Sequence, residues 1–66
     1  MMRYKTDYAF TWTYHEPNSI YCYTKTKHFE SRIERNRFAV EVFFYAKSGM
    51  IVLEFAEKKD LQTWEK

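Results

Sequence analysis

The chain has little of what a chemical site in a protein usually requires. Its 66 residues include one glycine, one proline, one cysteine and two histidines. A single glycine cannot supply a glycine-rich phosphate loop, and a single cysteine can neither close an internal disulfide nor complete a structural zinc site. His15 and His28 are not at metal-ligand spacing, and no nucleophile elbow is present. We therefore predict that the protein is not an enzyme and uses no cofactor or metal.

Long apolar runs and targeting patterns are also missing from the sequence. No stretch approaches the ~20 apolar residues of a membrane-spanning helix, and no signal-peptide pattern is present. The net charge of +2 at pH 7 is too small to indicate nucleic acid by itself. We therefore expect a soluble cytoplasmic protein without membrane insertion.

Aromatic residues are abundant instead. They make up 21% of the chain, beside 30% charged residues, a composition typical of a globular protein. Residues 1–66 make one domain, close to the lower size at which a core suffices without disulfides or metals. Large rings help so short a chain to bury enough area, and rings that are not buried would face a partner.

Two stretches near the start alternate with a period of two. Residues 3–14 place Tyr8, Phe10 and Trp12 on one face, which predicts a half-buried strand with these rings in the core. Residues 19–29 alternate in the same way and predict a second, antiparallel strand, although the pattern does not decide which face is buried. We expect the Cys22 thiol in this strand to be buried.

An apolar run opens the second half of the chain. Residues 38–46 are rich in β-branched and aromatic side chains and contain no Gly or Pro, which predicts a third strand. Gly49 suits a tight turn in the left-handed conformation, and residues 50–55 then form a fourth strand. Beyond it the period changes and favours a short helix over residues 57–65. Its docking residues are Leu61 and Trp64.

The predicted fold is one α+β domain, an antiparallel sheet of about four strands backed by the C-terminal helix. Residues 38–66 resemble the C-terminal strands and helix of pleckstrin-homology domains. The matching residues are Phe38, Val40, Gly49, Leu53, Phe55, Ala56, Leu61 and Trp64. The resemblance implies a related packing of sheet and helix. The family's phosphoinositide-binding loop corresponds to residues 15–19, which contain no Lys or Arg, so the resemblance does not imply lipid binding.

Positive charge is concentrated in residues 25–37, where five basic residues against two acidic ones give a local net charge of +3. Ser31 and Glu34 have the spacing of a capping box, so one helical turn fits here. Ile33 is the sole apolar anchor for such a turn, and we predict a connecting segment.

The candidate binding residues combine this segment with the aromatic residues of the second strand. Alternating Lys and aromatic residues pair phosphate contact with base stacking on nucleic-acid platforms, and they equally solvate an exposed sheet face. The candidates are Tyr21, Tyr23, Lys25, Lys27, Arg32, Arg35 and Arg37.

These features predict a non-enzymatic protein-binding module. Chains of this size and style resemble the small inhibitors that phages and mobile elements direct at host nucleic-acid machinery, anti-CRISPR proteins among them. Direct binding of nucleic acid through the basic and aromatic residues is the alternative, and a pleckstrin-homology-like adaptor fragment is a third. One short helix covers part of one sheet face, so some aromatic residues stay exposed, and a protein partner or a homodimer would bury them.

Overall fold

A computed structural model describes residues 3–65 of the chain, with side chains for residues 4–63. Its elements in chain order are β1 (Arg3–His15), β2 (Tyr23–Phe29), α1 (Arg32–Lys47) and β3 (Val52–Glu65). The strands form one antiparallel sheet in the order β2-β1-β3. The α+β class with an antiparallel sheet and a single helix is thus confirmed for the described residues. The expected number of strands is wrong, since the described sheet has three.

Strand β1 is the centre of the sheet, and its period of two is confirmed. Phe10 and Trp12 are buried on the side that α1 covers. On the opposite, open side the Oγ1 atoms of Thr11 and Thr26 lie 2.8 Å apart, linking β1 to β2. The β3 strand pairs with β1 from end to end, whereas β2 begins at Tyr23 and so is shorter than the predicted strand over residues 19–29.

The predicted third strand over residues 38–46 is wrong, because this run lies inside helix α1. A short run of apolar residues has the same composition in a buried strand and in a helix, so its period does not separate the two. The buried residues decide for the helix. Arg35, Ala39 and Val42 follow each other at intervals of four and three residues and form one inward stripe. Helix α1 lacks the length and apolarity that a membrane crossing demands, and so does every described helix.

Both ends of α1 are set by local chemistry. The helix begins after Ser31, whose Oγ accepts a hydrogen bond from the Glu34 N–H at 3.5 Å, so the capping-box spacing marks a full helix. Gly49 has a φ of 81°, which confirms its left-handed conformation. Its N–H donates to the Ala46 carbonyl at 3.1 Å, and the next N–H donates to the Tyr45 carbonyl at 3.0 Å. This pair of bonds terminates a helix, so the glycine ends α1 and does not turn a hairpin.

The predicted helix over residues 57–65 is also wrong, because these residues continue β3. Residues 3–11 of β1 need a partner for their backbone groups, and residues 57–65 provide it, with Asp7 opposite Leu61. A ten-residue helix is marginal in water, whereas a strand paired along its whole length satisfies every second backbone group. Leu61 is half-exposed on the sheet. The side chain of Trp64, the other predicted docking residue, lies outside the described side chains.

The core is a small aromatic cluster between the middle of β1 and the inner face of α1. The Phe10 ring centroid lies 5.4 Å from that of Trp12, 6.1 Å from that of Phe38 and 6.0 Å from that of Phe43. Ala39 and Val42 fill the space beneath the helix. The cluster therefore fixes which side of α1 faces the sheet.

A pair of valine substitutions tests the helix. Val40 and Val42 would share a face in a strand, but in α1 Val42 is 4% exposed and Val40 is 62% exposed. We expect Val42→Ala to lower the free energy of unfolding by about 1.5–3 kcal/mol because it removes buried methyl groups. Val40→Ala should change it by less than about 0.5 kcal/mol. Urea unfolding of both variants at low protein concentration measures the difference, and equal losses would contradict the helix.

Candidate binding surface on strand β2

The segment before β2 and the strand itself form an exposed aromatic and basic surface. Ile20 is 90% exposed, Tyr21 72% and Tyr23 51%. Cys22 is exposed as well, so the expectation of a buried thiol is wrong. The Tyr21 N–H donates to the Ser19 Oγ at 3.1 Å, and residues 20–22 make no strand pairing with β1. We call this surface, made of Ile20, Tyr21, Tyr23, Lys25 and Lys27, the β2 patch.

The strand part of the β2 patch lies on the side of the sheet that carries α1. Tyr23 packs its ring against Tyr14 with a centroid distance of 5.7 Å. The Lys25 Nζ lies 5.7 Å from the Tyr14 ring centroid, and the Lys27 Nζ lies 4.7 Å from the Phe38 ring centroid. Each lysine therefore holds its ammonium group over a ring while its side chain stays exposed.

The charge of the β2 patch has one sign. Residues 20–29 contain Lys25 and Lys27 and no Asp or Glu. Two copies of the patch brought face to face would place lysines against lysines, which costs free energy. The patch is therefore complementary to an acidic surface and not to itself.

Arg35 is placed elsewhere, inside the protein. Its side chain is 5% exposed, and its Nη1 donates to the Lys59 carbonyl at 3.0 Å and to the Asp60 Oδ1 at 2.6 Å. A longer bond of 3.5 Å reaches the Ala9 carbonyl. The guanidinium also lies over the Tyr8 ring, 5.7 Å from its centroid. Arg35 thus fastens α1 to β1 and β3, and its donors are directed away from any partner.

Arg32 and Arg37 are exposed but do not join the β2 patch. Arg32 lies 3.5 Å from the second oxygen of Asp60 and is 63% exposed, so it flanks the Arg35 ion pair on the β3 side of the helix. Arg37 lies on the outward face of α1 beside Val40 and Glu41. The seven candidate residues therefore divide into the patch on β2, the ion-pair cluster at Asp60, and Arg37 on the outer helix face.

The open side of the sheet holds two pairs of histidine and carboxylate. The His28 Nδ1 lies 2.7 Å from the Asp7 Oδ2, which joins β2 to β1. The His15 Nε2 lies 2.9 Å from the Glu54 Oε1, and its Nδ1 donates to the Glu16 carbonyl at 2.7 Å. Among the described residues, no group of three or more His, Cys, Asp or Glu side chains is placed to hold a metal ion. Both histidines therefore act as links between neighbouring chain segments.

Sequence reasoning missed several exposed apolar residues. Ile20 was overlooked because the predicted strand gave it a neighbour on each side, whereas it lies before the paired part of β2. Ile33 is the predicted anchor, and the predicted strand directs Val40 and Phe44 inward with Val42. All three are exposed on α1, because their spacing of seven and four has meaning only in a helix. The capping-box spacing of Ser31 and Glu34 was the signal that could have found them.

Comparison of the chain with protein-family models, curated proteins and solved structures finds no match. The function is therefore inferred from the surfaces alone.

Arg32 and Arg35 both pair with Asp60, but only Arg35 is buried, so their substitution should affect stability differently. Arg35→Met should lower the free energy of unfolding by about 2–3 kcal/mol, because it removes charged hydrogen bonds that hold buried carbonyl groups. Arg32→Met removes an exposed ion pair to the same carboxylate and should cost less than about 1 kcal/mol. Urea unfolding of both variants measures the contrast. A loss for Arg35→Met no larger than that for Arg32→Met would refute the anchoring role.

The pKa of His15 provides a second test. The Glu16 carbonyl, which accepts from Nδ1, raises this pKa above its ordinary value of 6.5, burial opposes the rise, and the Glu54 carboxylate adds to it. NMR titration of the ring protons should show His15 titrating above 6.5 and Glu54→Gln lowering its pKa. Glu57→Gln removes the same charge from β3 beside Lys59 and should leave the pKa nearly unchanged.

The same shift predicts how stability depends on pH. A raised folded-state pKa means that protonation favours the folded state. The contribution of His15 is therefore fully present below pH 6.5 and is lost as the pH rises through its folded-state pKa. The difference in the free energy of unfolding between the parent protein and Glu54→Gln should therefore shrink across the same pH window. A difference that grows with pH would contradict the raised pKa of His15.

Proposed function

We propose that the protein is a non-enzymatic binding module that recognises an acidic surface of a partner protein through the β2 patch. The observation that supports this most directly is the exposure of Ile20, Tyr21 and Tyr23 next to two lysines. Aromatic side chains with a basic rim are the composition of protein interfaces, and buried aromatic anchors supply most of their binding energy.

The geometry gives each part of the β2 patch a role. Ile20 and Tyr21 project from a segment that only local hydrogen bonds hold, so they can enter a shallow pocket on a partner. Lys25 and Lys27 follow on the strand, and their ammonium groups favour a partner with Asp or Glu on the surface that it presents to the patch. Positive charge at the rim also speeds the encounter with an acidic protein.

Nucleic acid is the alternative partner, and the row of Tyr23, Lys25 and Lys27 is the observation in its favour. Two features favour protein instead. The lysines lie over the rings of Tyr14 and Phe38, which occupies faces on which bases would stack. The most exposed apolar side chain of the patch, Ile20, has no flat ring for stacking.

The role of an inhibitor of host nucleic-acid machinery stays a proposal from size and style alone. An adaptor fragment of the pleckstrin-homology type likewise stays a proposal.

Two double variants test the β2 patch. Ile20→Ser with Tyr21→Ser removes the apolar anchor, and Lys25→Gln with Lys27→Gln removes the charge. Each should weaken capture of a partner from a host lysate roughly tenfold, since losing one anchor costs more than about 1.4 kcal/mol. The matched control is Lys5→Gln with Lys58→Gln, two exposed lysines outside the patch. Thermal unfolding of each variant verifies that the fold is retained.

Labelled DNA and RNA oligonucleotides at two salt concentrations distinguish the alternative. We expect weak binding by anisotropy and no difference between the protein and the double variant Ile20→Ser with Tyr21→Ser. Tight binding that falls steeply with salt and is lost with Lys25→Gln and Lys27→Gln would replace the protein partner with nucleic acid. A captured partner that both double variants retain at full affinity would remove the β2 patch from the proposal.

A further inference from the structure

We propose that the protein forms an antiparallel homodimer through the outward face of helix α1. That face, called here the outer helix face, consists of Ile33, Arg37, Val40, Glu41 and Phe44. Its three apolar residues are 64%, 62% and 62% exposed. A helix that carries apolar side chains on both sides is stable in water when its second side is also covered.

The outer helix face is a continuous stripe with a fixed orientation. Ile33, Val40 and Phe44 follow each other at intervals of seven and four residues, which places them in line on one side of α1. The opposite side carries Arg35, Ala39 and Val42, which are buried against the sheet. Because the Arg35 hydrogen bonds and the Phe10 cluster hold that side in place, the outer stripe cannot rotate inward.

The charges of the outer helix face are complementary to themselves. Arg37 and Glu41 are four residues apart and flank the apolar stripe on the same side. A two-fold axis perpendicular to the helix brings equal flanks of two copies together in opposite directions. Arg37 of each copy then meets Glu41 of the other, and two ion pairs form by symmetry. A parallel arrangement puts the flanks on opposite sides and forms neither pair.

The shape of the face agrees with this register. Ile33, Asn36, Arg37 and Val40 surround a shallow depression on α1, the four-residue hole that accepts a side chain from a facing helix. An antiparallel register centred near Val40 places Phe44 of the second copy over this depression. In that register Arg37 and the second copy's Glu41 are only about 3 Å apart along the axis, within reach of their side chains.

These features specify a second copy as the occupant. A heterologous partner has no reason to match one cation and one anion at symmetric positions, whereas an identical chain supplies both. The β2 patch differs in this respect, because its charges have a single sign and cannot pair with those of a second copy. A contact along 16 residues, about 24 Å of helix, is at the small end of protein interfaces, so we expect a dimer that dissociates on dilution.

Sedimentation equilibrium over a wide concentration range tests the proposal. The protein should move from its chain mass of 8.2 kDa toward twice that mass as concentration rises. Arg37→Glu and Glu41→Arg should each stay monomeric, because each places like charges opposite one another. Lys5→Glu carries the same charge change as Arg37→Glu on the open side of the sheet and should dimerise as the parent does.

The decisive sample is a mixture of the two single variants. Only the antiparallel register brings position 37 of the Arg37→Glu variant opposite the changed position 41 of the Glu41→Arg variant. The same register brings the unchanged Glu41 of the first variant opposite the unchanged Arg37 of the second. Both pairs attract, so the mixture should form a heterodimer of about the parent affinity. Circular dichroism verifies that each variant is folded. We expect both to fold, because residues 37 and 41 are exposed.

Three outcomes would overturn the dimer as proposed. The parent protein could stay monomeric at every concentration. The single variants could dimerise as well as the parent, which would place the contact between copies on another surface. The mixture could stay monomeric while the parent dimerises, which would exclude the antiparallel pairing of Arg37 with Glu41.

Discussion

The contact between Phe10 and the inner side of α1 is the constraint on which the rest of the structure depends. Among the described side chains, Phe10 is the one large residue that is fully buried, and it packs between Phe38 and Phe43 of the helix. Ala39, fully buried between them in sequence, has no bulk and lets the helix approach the sheet closely. So small a domain can bury only one stripe of α1 against its sheet. The other apolar residues of the helix therefore face outward.

The central strand could be predicted from the sequence because its signal is local and long. The period of two in β1 continues over a dozen residues, and no helix produces it. The run at residues 38–46 could not be assigned in this way, since neighbouring positions are apolar and both periods fit. The left-handed conformation of Gly49 was predicted correctly, but the same conformation serves a hairpin turn and a helix end. For residues 57–65 the deciding factor was non-local, namely the length of β1 that required a partner.

The placement of the candidate residues was predictable where it depends on local pattern and was not predictable where it depends on non-local packing. Tyr23, Lys25 and Lys27 share one strand face whatever the strand's partners are, so their alternation alone placed them together. Arg32, Arg35 and Arg37 look alike in the sequence. Which of them points inward depends on the rotation of a helix that the pattern did not reveal, and only Arg35 falls in line with Ala39 and Val42.

The rotation of α1 also connects the two proposed surfaces. Phe38 leans toward β2, where its ring contacts Phe29 and supports Lys27, while the outer helix face points away from the sheet. The β2 patch lies on the sheet beside α1 and the outer helix face lies on the far side of the helix, so the two surfaces share no residue. The proposed dimer would carry two copies of the patch. Two patches on one rigid body bind a partner with repeated acidic sites far more tightly than one patch does, because the second contact forms at high effective concentration. In the proposed dimer, a domain with so small a core would gain binding strength from symmetry where its own surface is limited.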